Sequence, residues 1–288
     1  MNDEELIKAA LQLKKEEDEE LIKAALQLKK EEDEELAKLL EKAGFLFVPI
    51  LLKYILQTED KMDDTLQIDY EEVWEKVQKF LEKRKKKPTK LSIKVMLRGR
   101  SFKSNMKNKV IPELRKTFFG LFDEFNTKYD GKEKFDYRTK HYRDVEKWLR
   151  NLPKLMNVTT ENAIIDLIQE SFDEGKGIRW LERKLSSLPE FSRKRARTTA
   201  ITEGLRMYSG SQYEAFMQND AVIGMTWRHT HGIKEPRKGH EAMDGQTVVK
   251  GDYFIVNGEN CRYPRDPMLS AKESIHCHCF VVPEIKNN

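Results

Sequence analysis

Cysteine is scarce in this chain: three in 288 residues, the first of them at position 261. That excludes a disulfide-stapled scaffold and suits a reducing compartment. Long apolar runs are missing too. The best of them, residues 45–56, is interrupted by Lys53 and falls short of the ~20 residues that cross a bilayer. The opening MNDEEL is acidic, whereas a secretory leader is basic and then apolar. The chain is therefore read as made and kept in a cytoplasm, with no membrane partner. No Gly-rich phosphate loop, Gly-x-Ser-x-Gly elbow or His-Glu-x-x-His pair occurs, so the usual signatures of nucleotide binding, serine hydrolysis and zinc proteolysis are absent. Histidine is rare before the end, since five of six follow residue 228.

Charge, by contrast, is abundant. Charged residues make up 35% of the chain and mean hydropathy is −0.72, which implies much surface and a modest core. The net charge of +4 hides an asymmetry. Residues 1–43 hold 14 acids and 8 bases, net −6, leaving 35 acids and 45 bases, net +10, in the remainder. A basic body can touch a phosphate backbone. Lys85, Lys86 and Lys87 in one basic run, and Arg193, Arg195 and Arg197 in another, are the candidates for non-specific DNA contacts. Ordinary solvated helix ends are the competing account of both runs.

The acidic arm is a repeat. DEELIKAALQLKKEE begins at Asp3 and again at Asp18, and a degenerate copy begins at Asp33. The period of 15 residues is close to four helical turns. Leu6, Ala9, Ala10 and Leu13 fall at helical spacing, and acids precede bases as the helix dipole favours. The arm is predicted to be a helix with a narrow apolar stripe, stopped at Gly44, removable from the body and suited to self-association or docking. It also resembles a ubiquitin-interacting motif, but Lys14 and Lys29 stand where that motif has serine, so self-association ranks ahead.

Beyond the arm, a buried segment from Phe45, a helix over 70–87 ended by Pro88, and helices through 90–150 are expected. Their core candidates are Met96, Val110, Leu114, Phe118, Leu121, Phe122 and Phe125. A further helix is predicted from about Thr160, with Thr159 or Thr160 as N-cap, after a stop at Pro153. From Val222 short β-type runs alternate with turn residues. The fold class is α+β: a mainly helical body with a small mixed C-terminal domain, preceded by the charged helix. The expected boundaries are 1–44 for the arm, 45–190 for the body and 191–288 for the C-terminal domain.

That last domain holds the chemistry. Cys261, Cys277 and Cys279 are joined by His229, His231, His240, His276 and His278. A Cys-x-Cys bite can offer two thiolates to one ion, and structural Zn²⁺ takes four sulfur or nitrogen ligands. The economical set is His240, Cys261, Cys277 and Cys279, with His276 or His278 as a substitute for His240. Inert buried thiols are the plainer alternative. A nuclease-like enzyme using His240, Glu241, Asp244, Arg237 and Arg262 is a minority reading, because sequence alone does not gather them in one cleft.

Four blocks in order then point to a family. ARTTAITEGLRMYSGSQYEAF from Ala196 is followed by Trp227 and RKGHEAMDGQ (237–246), then by YPRDP (263–267) and SAKESIHCHC (270–279). Together they resemble the head-morphogenesis, Mu F-like minor capsid proteins of tailed bacteriophages. His276 and His278 stand where that family usually has Asn and Arg, and Ile201 where Arg is more usual. The resemblance implies a non-enzymatic minor structural protein of the virion, inside the head and made in the bacterial host. Its implied partners are the portal protein, other capsid proteins and packaged DNA. The same domain also occurs joined to toxin domains. Here only six residues follow Val282, which counts against an effector.

Overall fold

The computed structural model describes residues 3–82, 86–131, 134–230 and 237–286. It is 67% helical, with short antiparallel strands confined to the C-terminal part, so the α+β class holds. The acidic repeat is one helix, α1 (Asp3–Ala43), about 60 Å long at 1.5 Å per residue. It ends where expected. Gly44 takes φ 88°, its N–H bonds Glu41 O at 2.9 Å, and Phe45 N–H bonds Leu40 O at 3.0 Å. This pair of closing bonds needs a left-handed residue, which glycine supplies without a Cβ penalty.

The side chains of Leu6, Ala9, Ala10 and Leu13 lie outside those described. In the third copy, however, Leu36 and Leu40 enter the core beside Phe45, Val48, Leu51 and Ile55. The arm is therefore not one separable unit: its last turns are built into the body. The copies differ at this point, because Leu40 stands where the second copy has Ala25. The larger side chain reaches the core.

Helix α2 (Val48–Glu82) is continuous through both segments that the sequence suggests separately. Pro49 sits in its first turn, where a missing N–H costs nothing. Met62, Leu66, Val73 and Val77 are fully buried along it. Two short helices, α3 (Lys90–Met96) and α4 (Phe102–Asn105), and a π-helical turn (Met106–Val110) lead into α5 (Ile111–Lys128). Of the expected core residues here, all but the partly buried Met96 are fully buried. Of the basic run, Lys83, Arg84 and Lys85 lie outside the described residues. Lys86 is exposed, and Lys87 pairs with Asp173.

The predicted break at Pro153 does not occur. Helix α6 (Lys140–Asp173) runs straight through it. A proline removes one backbone bond, but the inward residues on both sides of it, Val145, Leu149, Leu152, Ile164 and Ile168, hold the helix together by packing. Thr160 is consequently no cap. Its hydroxyl donates to Met156 O at 3.1 Å and accepts from Arg195 Nη1 at 2.9 Å.

Helix α7 (Ile178–Ser186) and a 3₁₀ turn (Pro189–Phe191) precede α8 (Arg193–Gln218). Ser192 caps α8, accepting from Arg195 N at 3.2 Å. From Thr202 to Phe216 every residue of α8 is buried, so this helix is the axle of the molecule, packed on α2 and α5. Strands β1 (Val222–Arg228), β2 (Thr247–Val249) and β5 (Phe280–Ile285) form an antiparallel sheet in the order β2-β1-β5. Strands β3 (Phe254–Val256) and β4 (Glu259–Cys261) make a separate hairpin. β4 is the strand that sequence periodicity did not reveal. Two single-turn helices, α9 (Lys238–Glu241) and α10 (Ala271–Ser274), flank the sheet. Phe280 of β5 reaches the cluster around Leu36 and Leu40, so apolar packing crosses all three expected segments.

Candidate metal centre

The Cys-x-Cys segment is extended and leads into β5, so alternate side chains leave on opposite sides. Cys277 and Cys279 point inward and are 4% and 2% exposed. His278, between them, lines a groove between α1 and α8 with His276, Leu39 and Arg197. His276 and His278, the alternatives to His240, line this groove, and the group that could hold a metal ion has His240 with Cys277 and Cys279. His231 lies outside the described residues.

His240, on α9, is 2% exposed. Its Nδ1 lies 3.5 Å from Cys277 Sγ and 3.6 Å from Cys279 Sγ. The ligand atoms of His240, Cys277 and Cys279 all fall within 4.8 Å of one another, a cluster that could hold a metal ion. His229, at the end of β1, comes to it from the other side, with Nδ1 3.5 Å from Cys279 Sγ. The backbone N–H of His229 is fastened to Asp244 Oδ1 at 2.9 Å. Cys261, at the end of β4, is buried but outside the tight group, and burial pushes its thiol well above the ordinary range.

Residues behind the cluster fix its orientation. Glu273 of α10 accepts from His240 Nε2 at 2.8 Å and from Asn257 Nδ2 at 3.1 Å. A carboxylate on Nε2 turns Nδ1 toward the sulfurs, the arrangement by which metal-ligating imidazoles are oriented. Arg265, wholly buried, donates to the carbonyls of Cys277 at 2.6 Å and Cys279 at 2.8 Å, and to Ser209 Oγ at 2.7 Å. It thus sets both cysteines from behind while tying their strand to α8.

The electrostatics follow from these contacts. The hydrogen bond from Cys279 and, after burial, that from His240 hold the Cys277 thiol well below its ordinary value. The same shared proton, with burial, holds Cys279 well above it. Burial opposes a charged His240, but its bonds to Cys277 and Glu273 outweigh that and raise it.

Other candidates for acid–base chemistry serve the scaffold. Arg262 binds Asp266 through Nε at 2.7 Å and Nη2 at 2.9 Å, and reaches Asp144 of α6 at 3.0 Å. Arg237 donates to Ile275 O at 2.6 Å. Glu203 accepts from Trp148 Nε1 at 2.7 Å and Arg206 Nε at 3.0 Å, and Arg206 in turn donates to the carbonyl of Arg265. Sequence reasoning missed His229, Glu273 and Arg265 as parts of this centre. No local signal marks Arg265, whose backbone takes a left-handed φ of 65° after Pro264.

The arginines of the basic run at 193–197 face acids or the interior. Arg195 donates to Glu190 O at 2.7 Å and Met156 O at 3.1 Å, and is thereby withdrawn from the surface. Arg197 binds Asp33 at 2.7 Å and Glu59 at 2.8 Å. Arg193 reaches Glu32 at 3.1 Å. The acidic arm lies across the basic run.

Comparison with known proteins agrees with the four sequence blocks. Residues 162–282 match the family described as Phage Mu protein F like protein, so the C-terminal region is similar to that family. The chain is also 37% identical over 144 residues to an uncharacterized protein, YqbB, of Bacillus subtilis (strain 168). That alignment takes in 49% of this chain and 47% of the relative, so the chain spans about half the length of the relative. No solved structure matches.

Proposed function

We propose that this chain is a minor structural and assembly protein of a tailed-phage head, present in the head interior and acting at the portal vertex. The observation that carries the reading is the Mu F-like match over residues 162–282. The side chains in those blocks support it, because Arg206, His240, Arg262, Arg265 and Asp266 are buried and bonded to one another's segments. Motif residues used in this way define a rigid module for protein contacts. Portal and other capsid proteins are its partners. Packaged DNA is a weaker one, met through phosphate contacts at Lys86 and Lys87 and, where phosphates displace the arm's acids, at Arg193 and Arg197. The outer repeats of α1 serve self-association. The cluster of His240, Cys277 and Cys279 holds Zn²⁺ in a structural role, and the protein is not an enzyme.

Mass spectrometry of purified virions, with cross-linking, tests the assignment. Recovery of this chain at low copy number, linked to the portal protein, is the expected result. Its absence from full heads and procapsids alike would refute the reading. The nuclease-like alternative predicts instead that nicking of duplex DNA by the purified chain disappears in His240→Ala.

A further inference from the structure

We infer that His229 is the fourth ligand of the metal centre and Cys261 is not, so that the ion sits in a two-histidine, two-cysteine site joining the end of β1, helix α9 and the Cys-x-Cys strand. The inference rests on the reading that the cluster holds Zn²⁺, and it follows from distances. With Zn–S near 2.3 Å and Zn–N near 2.0–2.1 Å, the nitrogen–sulfur edge of a tetrahedral site is about 3.5–3.6 Å. The three nitrogen–sulfur separations here are 3.5, 3.5 and 3.6 Å, and the first two involve different histidines. Hydrogen bonding explains this pattern less well. With Nε2 engaged by Glu273, His240 Nδ1 has one lone pair, yet two sulfurs stand equally close to it. A cation at the centre satisfies both sulfurs and both nitrogens at once.

His229 Nδ1 stands 3.5 Å from Cys279 Sγ and lies outside the tight triad; ligation requires its ring to turn toward Cys277. Asp244 fixes the backbone from which that ring swings. Cys261 is a poor rival. Its sulfur lies outside the group of ligand atoms within 4.8 Å of one another, whereas His229 Nδ1 stands 3.5 Å from Cys279 Sγ. The site pins both ends of the segment 229–240 to the strand that carries the cysteines.

The test uses the full chain, purified reduced, with its zinc measured and then exchanged for Co²⁺. Cobalt reports tetrahedral geometry by its visible bands and thiolate number by its charge-transfer intensity. One zinc per chain and a two-thiolate cobalt spectrum are expected. Cys261→Ser should leave both unchanged. His229→Ala should weaken zinc by about tenfold or more against a competing chelator, a loss of the size seen even for outer-sphere partners. His229→Cys should bind cobalt with a three-thiolate spectrum, a gain of signal that a misfolded variant does not give. Loss of one thiolate in Cys261→Ser, or unaltered zinc affinity in His229→Ala, would overturn the assignment of His229 while leaving zinc binding intact. A wild-type chain that takes up neither zinc nor cobalt would remove the metal reading itself.

Discussion

Removing the carboxylate of Asp69 should destabilise the helical body far more than an average substitution. Asp69 of α2 is fully buried and faces Arg100, which precedes α4 and is itself buried. One guanidinium nitrogen of Arg100 donates to both carboxylate oxygens, at 2.8 and 2.9 Å. The other donates to Asn157 Oδ1 of α6 at 2.7 Å, and Nε reaches Leu97 O at 3.3 Å. The pair thus joins α2, the segment between α3 and α4, and α6. In Asp69→Ala the arginine stays buried with only the partly exposed Glu161, 3.7 Å away, as counter-charge, and breaking a buried pair from one side costs about 3–5 kcal/mol. At roughly 2–4 °C of melting temperature per kcal/mol for a domain near this size, the midpoint should fall by about 6–20 °C. Urea melts of the wild type, Asp69→Ala and the double variant Asp69→Ala/Arg100→Met measure it. The double variant should recover most of the loss, because an apolar pair of similar volume replaces the ions nearly neutrally. A loss below about 1 kcal/mol in Asp69→Ala, or a double variant no better than the single, would show that the pair is solvated and the geometric argument wrong.

The same residue gives a pH prediction. Burial lifts the Asp69 carboxyl to about 6, with Arg100 opposing, against about 3.9 in an unfolded chain. The folded state therefore binds more protons between those values, and the stability this group contributes is present below about pH 4 and lost as pH rises to about 6. Relative to Asp69→Asn, the wild type should lose about 2–3 kcal/mol across that window; a flat difference in paired melts refutes it. In the metal centre, Glu273→Gln should weaken zinc by about 10–100-fold, read by chelator competition, with an unchanged affinity counting against the orienting role. In the arm, Leu40→Ala should cost about 2–5 kcal/mol, whereas deleting residues 3–17 should leave the thermal transition in place. Equal losses would mean that the outer repeats also belong to the core. Finally, charge reversal of Glu32 and Asp33 to Lys should strengthen binding of duplex DNA and steepen its salt dependence, because Arg193 and Arg197 then meet phosphates. No change at low salt would leave the arm without a competing role.

Periodicity exposed much of the fold because its causes are local. The repeat, its stop at Gly44, the phenylalanines of α5 and the strand-like runs after Val222 each announce themselves within a few residues. What stayed hidden depends on distant partners. Pro153 reads as a stop until the buried face of α6 is known to hold on both sides of it. Leu36 and Leu40 look like a docking stripe until Phe280 and Tyr208 are found packed around them. The metal centre divides in the same way. Cys277, Cys279 and His240 stand out by composition and by the inward parity of a Cys-x-Cys strand. His229 is separated from His240 by ten residues, and only the fold brings both rings to Cys279, at 3.5 and 3.6 Å. Cys261 was chosen because cysteines are few, yet rarity says nothing of distance.

The arginines make the same point about charge. A net +10 outside the arm invites a phosphate partner, but net charge does not say where counter-charges lie. Arg195 is drawn into α6 carbonyls, Arg262 into Asp266 and Asp144, and Arg193 and Arg197 into the acids of α1 and α2. The arm's negative charge is even, net −2 in each copy, but where the third copy docks its acids and its apolar residues act on the same contact. Leu36 and Leu40 fix the helix to the body, and Glu32 and Asp33 then lie against arginines they could not hold alone, since exposed pairs contribute little. Position comes from burial and selectivity from charge. A phosphate backbone would compete only for the electrostatic part, which salt weakens, and would leave the buried leucines in place. The acidic repeat can thus yield its arginines without leaving the body.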